Sequence, residues 1–206
     1  PRNDRYFVNE IFLFHTAAGA SPEADGWLTL TGMGSAGLCL LDSVELDELR
    51  FPMKVYKQEI YINSEGAGKR RGSPGAYVEF GPLGSNMKVA YASDGSYFPA
   101  AGVRGGGNAS KAKQYKIDKF GKKVNLPIVH EVELLENERI VSITQPGGGY
   151  GPPYERELSR VQKDFLEGWI TKKRAYEVYG VKFNTKGEIN ENETSIKRKL
   201  LKKKYN

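Results

Sequence analysis

The first 145 residues alternate between short apolar or β-branched runs and breaks of glycine and proline, which is the pattern of β-strands joined by turns. The predicted strands are Tyr6–Phe14, Gly26–Thr31, Met53–Ile62, Ala76–Phe80, Met87–Ala92, Gln114–Ile117, Ile128–Leu134 and Arg139–Thr144. We therefore expect a mostly β body over residues 1–145.

Beyond Pro153 the apolar residues recur at spacings of three and four, which predicts an amphipathic helix. The residues at this spacing are Leu158, Val161, Phe165 and Trp169. The change of period divides the chain into the β-rich body, 1–145, and a glycine-rich hinge with a helical tail, 146–206. Together the two parts predict an α+β fold in which two or three helices follow Pro153.

Capping residues predict where the later helices begin and end. Thr171 is suited to cap the start of a short helix that runs through Val178 and stops at Gly180. Asn190 followed by Glu193 predicts the start of a final helix, which carries the basic end of the chain.

Composition narrows the class of protein. No apolar run approaches the roughly 20 residues that span a bilayer, and Pro1–Glu10 lacks the apolar stretch of a signal peptide. The chain begins with Pro rather than Met, which indicates processing or a start inside a longer chain.

The single cysteine, Cys39, cannot form an internal disulfide and favours a cytoplasmic location. Its two leucine neighbours favour buried packing over nucleophilic chemistry.

The formal net charge of +6 is concentrated in two segments. The first is Lys111–Lys123, with six lysines and one aspartate, and the second is the basic end of the final helix. The rest of the chain is acidic, so the positive charge gives no general case for a nucleic-acid-binding surface. We interpret the basic end as a solvated helix face.

The sequence offers little catalytic machinery of its own. Its only histidines, His15 and His130, are far apart and lack the spacing of metal ligands. Neither a Gly-x-Ser-x-Gly turn nor a cysteine-based triad is present. We therefore predict no metal site in this chain and assign no catalytic residue.

Two motifs precede and follow the third predicted strand. In Val44–Pro52, Glu45 and Glu48 are three residues apart, so they share a helical face or belong to a surface turn, and the turn is favoured. Asn63–Gly75 is dense in glycine and carries adjacent cations. Glycines at this density let backbone N–H groups converge on an anion, but a tight loop explains them equally well. The spacing is not that of a P-loop.

A third motif, Pro146–Pro153, contains three consecutive glycines. Such a run implies either a very close approach of two backbones or a flexible hinge. Taken alone, each of the three motifs is a weak indication of function.

In their order and spacing, these motifs resemble the C-terminal part of the hydantoinase B and 5-oxoprolinase family, which includes the large subunits of acetone and acetophenone carboxylases. The positions that match the family pattern are Gly19, Ala20, Asp25, Gly26, Glu45, Glu48, Pro52, Ser64, Gly66, Gly68, Arg71, Gly72, Gly75, Tyr179, Gly180 and Val181. The closing Gly-x-x-Asp-x-x-x-Thr segment of the family is echoed by Gly187, Asn190 and Thr194. Four positions depart from it: Asn63 and Pro152 stand where the family has Asp, and Glu65 and Ser73 where it has Gly. The departures indicate a divergent member, or one whose chemistry differs from simple hydantoin hydrolysis.

The resemblance implies one component of a complex that performs ATP-dependent hydrolysis of a cyclic amide or carboxylation of a ketone. ATP and Mg would be bound by a hydantoinase A-like ATPase subunit and a divalent metal by the remaining B-type portion, with no cofactor held by this chain alone. The alternative is a non-catalytic assembly subunit. The candidate substrate- or anion-binding residues are Asp25, Glu45, Glu48, Gly66, Gly68, Lys69, Arg71 and Arg104. For each of these residues, a salt bridge or turn that holds a loop is the competing interpretation.

Overall fold

A computed structural model describes residue 8, residues 17–28 and residues 43–205. The helices in these ranges are α1 (Val44–Arg50), α2 (Leu158–Leu166), α3 (Lys172–Glu177) and α4 (Glu191–Tyr205). The strands are β1 (Met53–Ile60), β2 (Ala76–Pro82), β3 (Met87–Ala92), β4 (Lys113–Ile117), β5 (Lys123–Asn125), β6 (Val129–Leu134) and β7 (Arg139–Ile143). The predicted α+β class is confirmed, and three of the helices follow Pro153.

The strands form two antiparallel sheets. One has five strands in the order β1-β2-β7-β4-β5, and the other pairs β3 with β6. Neighbouring residues of β7 point into different cores, because side chains alternate along a strand. Ile140 enters the apolar core shared with β6, whereas Val141 and Ile143 pack with residues of β4 on the opposite face.

The helices after Pro153 build a third apolar core, in which a loop residue of the β body, Ala67, takes part. The other buried members are Val161, Ile170, Ala175, Tyr179, Val181 and Phe183. The helical segment therefore packs against the loop that precedes β2. The division of the chain into residues 1–145 and 146–206 stays a prediction.

The predicted residues that cap the starts of the later helices are confirmed. The Thr171 hydroxyl accepts a hydrogen bond from the Arg174 N–H, 3.2 Å away, at the start of α3. The same helix ends at Glu177 with its C-cap at Val178, so the predicted cap, Gly180, lies two residues further on, where its φ of 69° is left-handed. At the start of α4, the Asn190 carboxamide and Glu193 exchange two hydrogen bonds of the kind that caps a helix.

Six of the eight predicted strands are confirmed, with ends that agree to within two residues. Apart from residue 8, the predicted strand Tyr6–Phe14 lies outside the described residues. Of the predicted strand Gly26–Thr31, the described residues Gly26–Leu28 are not in a strand, and the remainder lies outside the described part. The predictions for Cys39 and His15 also fall outside it.

Three details of the prediction were wrong. Val44–Arg50 is a helix rather than a surface turn, because the Ser43 hydroxyl accepts a hydrogen bond from the Leu46 N–H and caps it. The first helix of the tail ends at Leu166, and Trp169 lies beyond it. The strand β5 was not predicted, since its three residues are all exposed and carry no apolar pattern. None of the described helices is long and apolar enough to cross a membrane.

Candidate functional site

Three glycine-rich loops meet in a backbone-to-backbone contact that we call the glycine junction, formed by residues 66–75, 102–107 and 147–151. Hydrogen bonds between main-chain groups join all three loops. The Gly66 N–H donates to the Gly147 carbonyl at 2.9 Å, the Gly149 N–H to the Gly107 carbonyl at 3.1 Å, and the Gly107 N–H to the Ala67 carbonyl at 2.6 Å. The triple glycine is thus a place of close approach, the first of the two interpretations that the sequence left open.

Side chains are excluded from the centre of the glycine junction by neighbouring main-chain atoms. A Cβ added at Gly72 would overlap the Gly147 carbonyl, and one added at Gly147 would overlap the Ala18 carbonyl. A Cβ at Gly66 would lie within 3.0 Å of three backbone atoms, among them the Gly149 nitrogen. Because backbone atoms cannot move aside as flexible side chains do, these positions require glycine.

Arg71, the cation that the resemblance singles out, is buried beside the glycine junction and is only 6% exposed. Its Nε donates to Asp164 Oδ1 at 3.0 Å, and its guanidinium stacks 4.5 Å from the centroid of the Trp169 ring. The structure therefore places the Arg71 charge in a buried ion pair. This geometry supports the competing interpretation that Arg71 holds its loop in place.

Asp25, a second candidate, belongs to the same buried group of charges. Both of its oxygens accept hydrogen bonds from Arg156, at 2.7 and 2.9 Å, and one also accepts from the Arg71 backbone N–H at 2.9 Å. Burial opposes the ionised form, but the hydrogen bonds and charge of Arg156, together with Arg71, outweigh it and lower the Asp25 pKa. Asp25 is thus an ionised clamp between residues that are distant in the chain.

Arg156 and Asp164 complete this group and were not among the predicted site residues. Arg156 is 1% exposed, and its Nη2 lies 2.9 Å from Asp164 Oδ2, so Asp164 bridges Arg71 and Arg156. One signal in the sequence pointed to Asp164, namely its position three residues after Val161 on the apolar side of α2. A charged residue there needs a buried partner.

An open depression of about 560 Å³ borders this group of charges. The residues that line it are Glu23, Ala24, Asp25, Gly26, Trp27, Leu28, Arg71, Arg160 and Trp169. Trp27 is 70% exposed, and Arg160 also reaches Asp25, with 3.3 Å between Nη1 and Oδ2. The depression thus combines exposed aromatic surface with partly neutralised arginines.

Glu65, which departs from the family pattern, is buried under the glycine junction. Its Oε1 accepts hydrogen bonds from Arg174 Nε at 2.7 Å and from the Tyr179 hydroxyl at 2.9 Å. Burial raises the Glu65 pKa, and the favourable contacts with Arg174 and Tyr179 offset only part of this effect. Where the family has glycine, this chain therefore has a carboxyl that ties the loop to α3 and the residues after it.

Asn63, a second departure, has a structural role as well. Its φ of 60° is a left-handed conformation that asparagine tolerates. Its Oδ1 accepts hydrogen bonds from the Thr171 N–H at 2.8 Å and the Thr171 hydroxyl at 3.3 Å. Asn63 thereby fixes the start of α3 against the glycine-rich loop.

The remaining cationic candidates, Lys69 and Arg104, lie at the exposed edge of the glycine junction. The Lys69 N–H donates to the Gly151 carbonyl at 3.1 Å, and the Gly151 N–H donates to the Val103 carbonyl at 3.0 Å. Gly151 thus links the two segments that carry these cations. Gly66 and Gly68, the other candidates in the first loop, are buried within the junction.

Glu45 and Glu48 are placed elsewhere, on α1, which packs against β1. Glu45 is exposed and accepts a hydrogen bond from the Ser43 hydroxyl at 2.8 Å. Hydrogen bonding at the helix start, from its own backbone and from Ser43, lowers the Glu45 pKa. Glu48 accepts from the Val55 N–H at 2.8 Å and so ties α1 to the strand.

No three His, Cys, Asp or Glu side chains gather closely enough to hold a metal ion within residues 17–28 and 43–205. His130 is exposed on β6. What the described residues do provide is a backbone platform joined by main-chain hydrogen bonds, a neutralised group of buried charges next to it and two exposed cations at its edge.

Comparison with known proteins agrees with this arrangement of motifs. The sequence profile of the family Hydantoinase B/oxoprolinase matches residues 1–153. The chain is 28% identical over 206 residues to the caprolactamase subunit beta of Pseudomonas jessenii, an alignment that covers 95% of this chain and 34% of that subunit.

Solved structures show the same relationship. The crystal structure of the ATP-dependent caprolactamase from Pseudomonas jessenii matches 97% of this chain and 35% of that chain, with a TM-score of 0.83 at 25% identity. A nucleotide-free structure of acetone carboxylase matches 92% of this chain and 30% of that chain, with a TM-score of 0.71 at 20% identity, and so shares the fold. The chain spans about a third of the length of these relatives. With its profile match over residues 1–153, the chain belongs to the Hydantoinase B/oxoprolinase family.

Proposed function

We propose that this chain is the C-terminal portion, or a small subunit, of a hydantoinase B-type component in a complex that hydrolyses a cyclic amide at the expense of ATP. The observation that carries the proposal is the match to an ATP-dependent caprolactamase over 97% of the chain at a TM-score of 0.83. Ketone carboxylation is the second reaction in the same class. It has less support, since the similarity to acetone carboxylase is one of fold.

The proposal includes partners that supply what this chain lacks. A hydantoinase A-like ATPase subunit would bind ATP and Mg, and the remaining B-type portion would hold a divalent metal. Similarity to a protein described as a subunit beta supports assembly with another chain. A cytoplasmic location follows as part of the proposal, because ATP is available there. In this complex, the glycine junction would border the substrate or a subunit interface.

Reconstitution tests this proposal directly. The chain is combined with the A-type subunit and the remaining B-type portion, and ring opening of lactams and hydantoins is measured with and without ATP. Parallel assays measure ketone consumption with bicarbonate. We expect ATP-dependent ring opening only when all components are present. ATP-dependent turnover by the isolated 206-residue chain would show that the partners are unnecessary.

The role of Arg71 as the functional cation of its loop is tested in the same assembly. Arg71→Ala is compared with Arg70→Ala. In the unaltered chain, the Arg70 guanidinium makes a 3.5 Å ion contact with the exposed Glu157. Loss of a charge-assisted contact with an anion predicts a turnover that is roughly 10- to 100-fold lower for Arg71→Ala. Because Arg71 also pairs with Asp164, thermal melts must accompany the assay. Equal loss of turnover in both variants would leave Arg71 with a structural role.

A second candidate function is a non-catalytic assembly module, which one feature of α4 favours. Ile196 and Leu200, one helical turn apart, are 62% and 58% exposed beside a depression of about 650 Å³. Lys199, Lys202 and Lys203 also line this depression. An apolar stripe bordered by lysines fits an acidic segment with apolar residues on a companion subunit.

The assembly function is tested with the double substitution Ile196→Ser and Leu200→Ser. Native mass spectrometry of the assembly should show that the companion subunit is lost, while the matched exposed substitution Leu135→Ser leaves it bound. Formation of a dimer of this chain through the same stripe, or binding of the stripe to anionic lipid vesicles, would identify a different occupant and overturn this candidate.

A further inference from the structure

Arg104 has a backbone conformation that its side chain does not favour. Its φ is 50°, and the next residue, Gly105, has a φ of 85°. The Gly106 N–H donates to the Val103 carbonyl at 2.9 Å and closes a tight turn with two left-handed central residues. Glycine, asparagine and aspartate are the usual residues in such a turn, because a Cβ crowds the backbone there.

The turn is held in this conformation by the glycine junction. The Val103 N–H donates to the Gly149 carbonyl at 3.0 Å, and the Val103 carbonyl accepts from the Gly151 N–H at 3.0 Å. On the other side of the turn, the Gly107 N–H donates to the Ala67 carbonyl at 2.6 Å. The surrounding structure therefore imposes the left-handed backbone, but nothing in it requires arginine.

Among the described residues, the other non-glycine residues with positive φ are Asn63 and Asn137, a residue type that tolerates this conformation. Residues held in a disfavoured backbone conformation cluster at functional sites, where the surrounding fold stabilises them. An arginine between glycines in such a turn thus points to a role for its side chain.

The Arg104 side chain is exposed and forms no ion pair or hydrogen bond within the described part of the chain. Arg71 and Arg156, in contrast, are neutralised by aspartates. Across Gly151 lies Lys69, whose side chain is 55% exposed and reaches Glu155 only at 4.0 Å. Two weakly neutralised cations therefore flank the same strip of backbone.

We propose that Arg104 and Lys69 form a binding site for a small oxyanion, a phosphate or a carboxylate, at the edge of the glycine junction. Arginine presents a planar pair of N–H donors that matches two oxygens of such an anion, and lysine adds a second charge. The hydrogen-bonded turn fixes the backbone from which the guanidinium extends, so little backbone conformational freedom is lost when the anion binds. The site does not depend on the reaction proposed above.

Calorimetric titration of the full chain with inorganic phosphate, and separately with acetate, tests this site at constant ionic strength. Arg104→Ala removes the guanidinium but keeps a Cβ in the left-handed turn. Arg104→Asn and Arg104→Gly also remove the guanidinium, and both residue types adopt the left-handed conformation with less backbone strain. We expect all three to weaken binding of the preferred anion by roughly 10-fold or more, and only Asn and Gly to raise the melting temperature. Lys69→Gln should weaken binding by a smaller factor.

The matched control is Lys119→Gln, which removes one positive charge from a turn at the far end of β4. Its anion affinity should equal that of the unaltered chain. Tighter binding of phosphate than of acetate would identify a phosphoryl ligand, and the reverse a carboxylate. Unchanged affinity in Arg104→Asn, an equal loss in Lys119→Gln, or no binding of either anion to the unaltered chain would overturn the proposal. Because turnover is not measured, this outcome is independent of the reconstitution experiment.

Discussion

The apolar core of the five-stranded sheet and the centre of the glycine junction are both buried, but different interactions hold them together. In the sheet, apolar side chains such as Val78, Ile140 and Val141 pack against neighbouring strands. In the junction, main-chain atoms touch one another and buried ion pairs surround them. Apolar packing tolerates substitutions of similar volume, whereas a backbone contact leaves no room for a Cβ. The two regions should therefore respond differently to substitution.

The largest effect is expected when the buried charges lose their common partner. Asp164→Ala leaves both Arg71 and Arg156 without the carboxylate that bridges them, so the free energy of unfolding should fall by about 3–5 kcal/mol. Urea denaturation measures this change. The matched control is Glu157→Ala, which removes a 59% exposed carboxylate and should cost about 0–1 kcal/mol. Similar losses in the two variants would mean that the buried group is not what holds the junction together.

The next effect concerns the backbone contact itself. Gly147→Ala would place a methyl group against the Ala18 carbonyl, and the resulting strain should lower the free energy of unfolding by about 1–3 kcal/mol. Gly19→Ala serves as the control, because the nearest atom to its added Cβ is 3.8 Å away. Differential scanning calorimetry of both variants gives the comparison. Equal stability of the two variants would mean that the junction opens as a hinge and is not a close contact.

A smaller effect is expected in the sheet. Ile140→Val removes one methylene from the core that β7 shares with β6, and this should cost about 0.5–1.5 kcal/mol. The measurement is the midpoint of urea unfolding, with an unchanged dependence on urea concentration. A loss as large as that of Asp164→Ala would remove the contrast between the two regions.

The smallest effect is the dependence of stability on pH that Asp25 contributes at the junction. The folded state lowers the Asp25 pKa below its ordinary value of 3.8, so its stabilising contribution is present above that pH and is lost as pH falls through the folded pKa. The difference in stability between the unaltered chain and Asp25→Asn should thus be constant above about pH 3.8 and shrink below it. Melting curves from pH 2.5 to 7 check this, with Glu23→Gln as the exposed control. A constant difference over the whole range would contradict it.

Much of the fold was predictable because it depends on local patterns. The predicted strand Met87–Ala92 and the caps at Thr171 and Asn190 involve residues within one element or one turn, and the structure confirms each of them. The helix α1 was missed because two carboxylates three residues apart fit a turn as well as a helix. Only the cap at Ser43 distinguishes the two.

The candidate site was predictable only in part. The sequence pointed to Asp25 and Arg71, and the structure brings them together, with 2.9 Å between the Arg71 nitrogen and Asp25 Oδ1. It gave no sign that Arg156, more than a hundred residues from Asp25, would neutralise that carboxylate. An ion pair between distant segments leaves no spacing pattern that could be recognised.

By itself, the sequence determined six of the described strands, the helices after Pro153 and the order of the family motifs, because period, capping and motif spacing are properties of neighbouring residues. Only the tertiary structure decided that the three glycine-rich segments form one junction and that Arg71 lies buried within it. It also decided that Arg104 stands exposed at its edge. The physical reason is that a glycine run permits both a hinge and a close contact, and the backbone that packs against it selects between them.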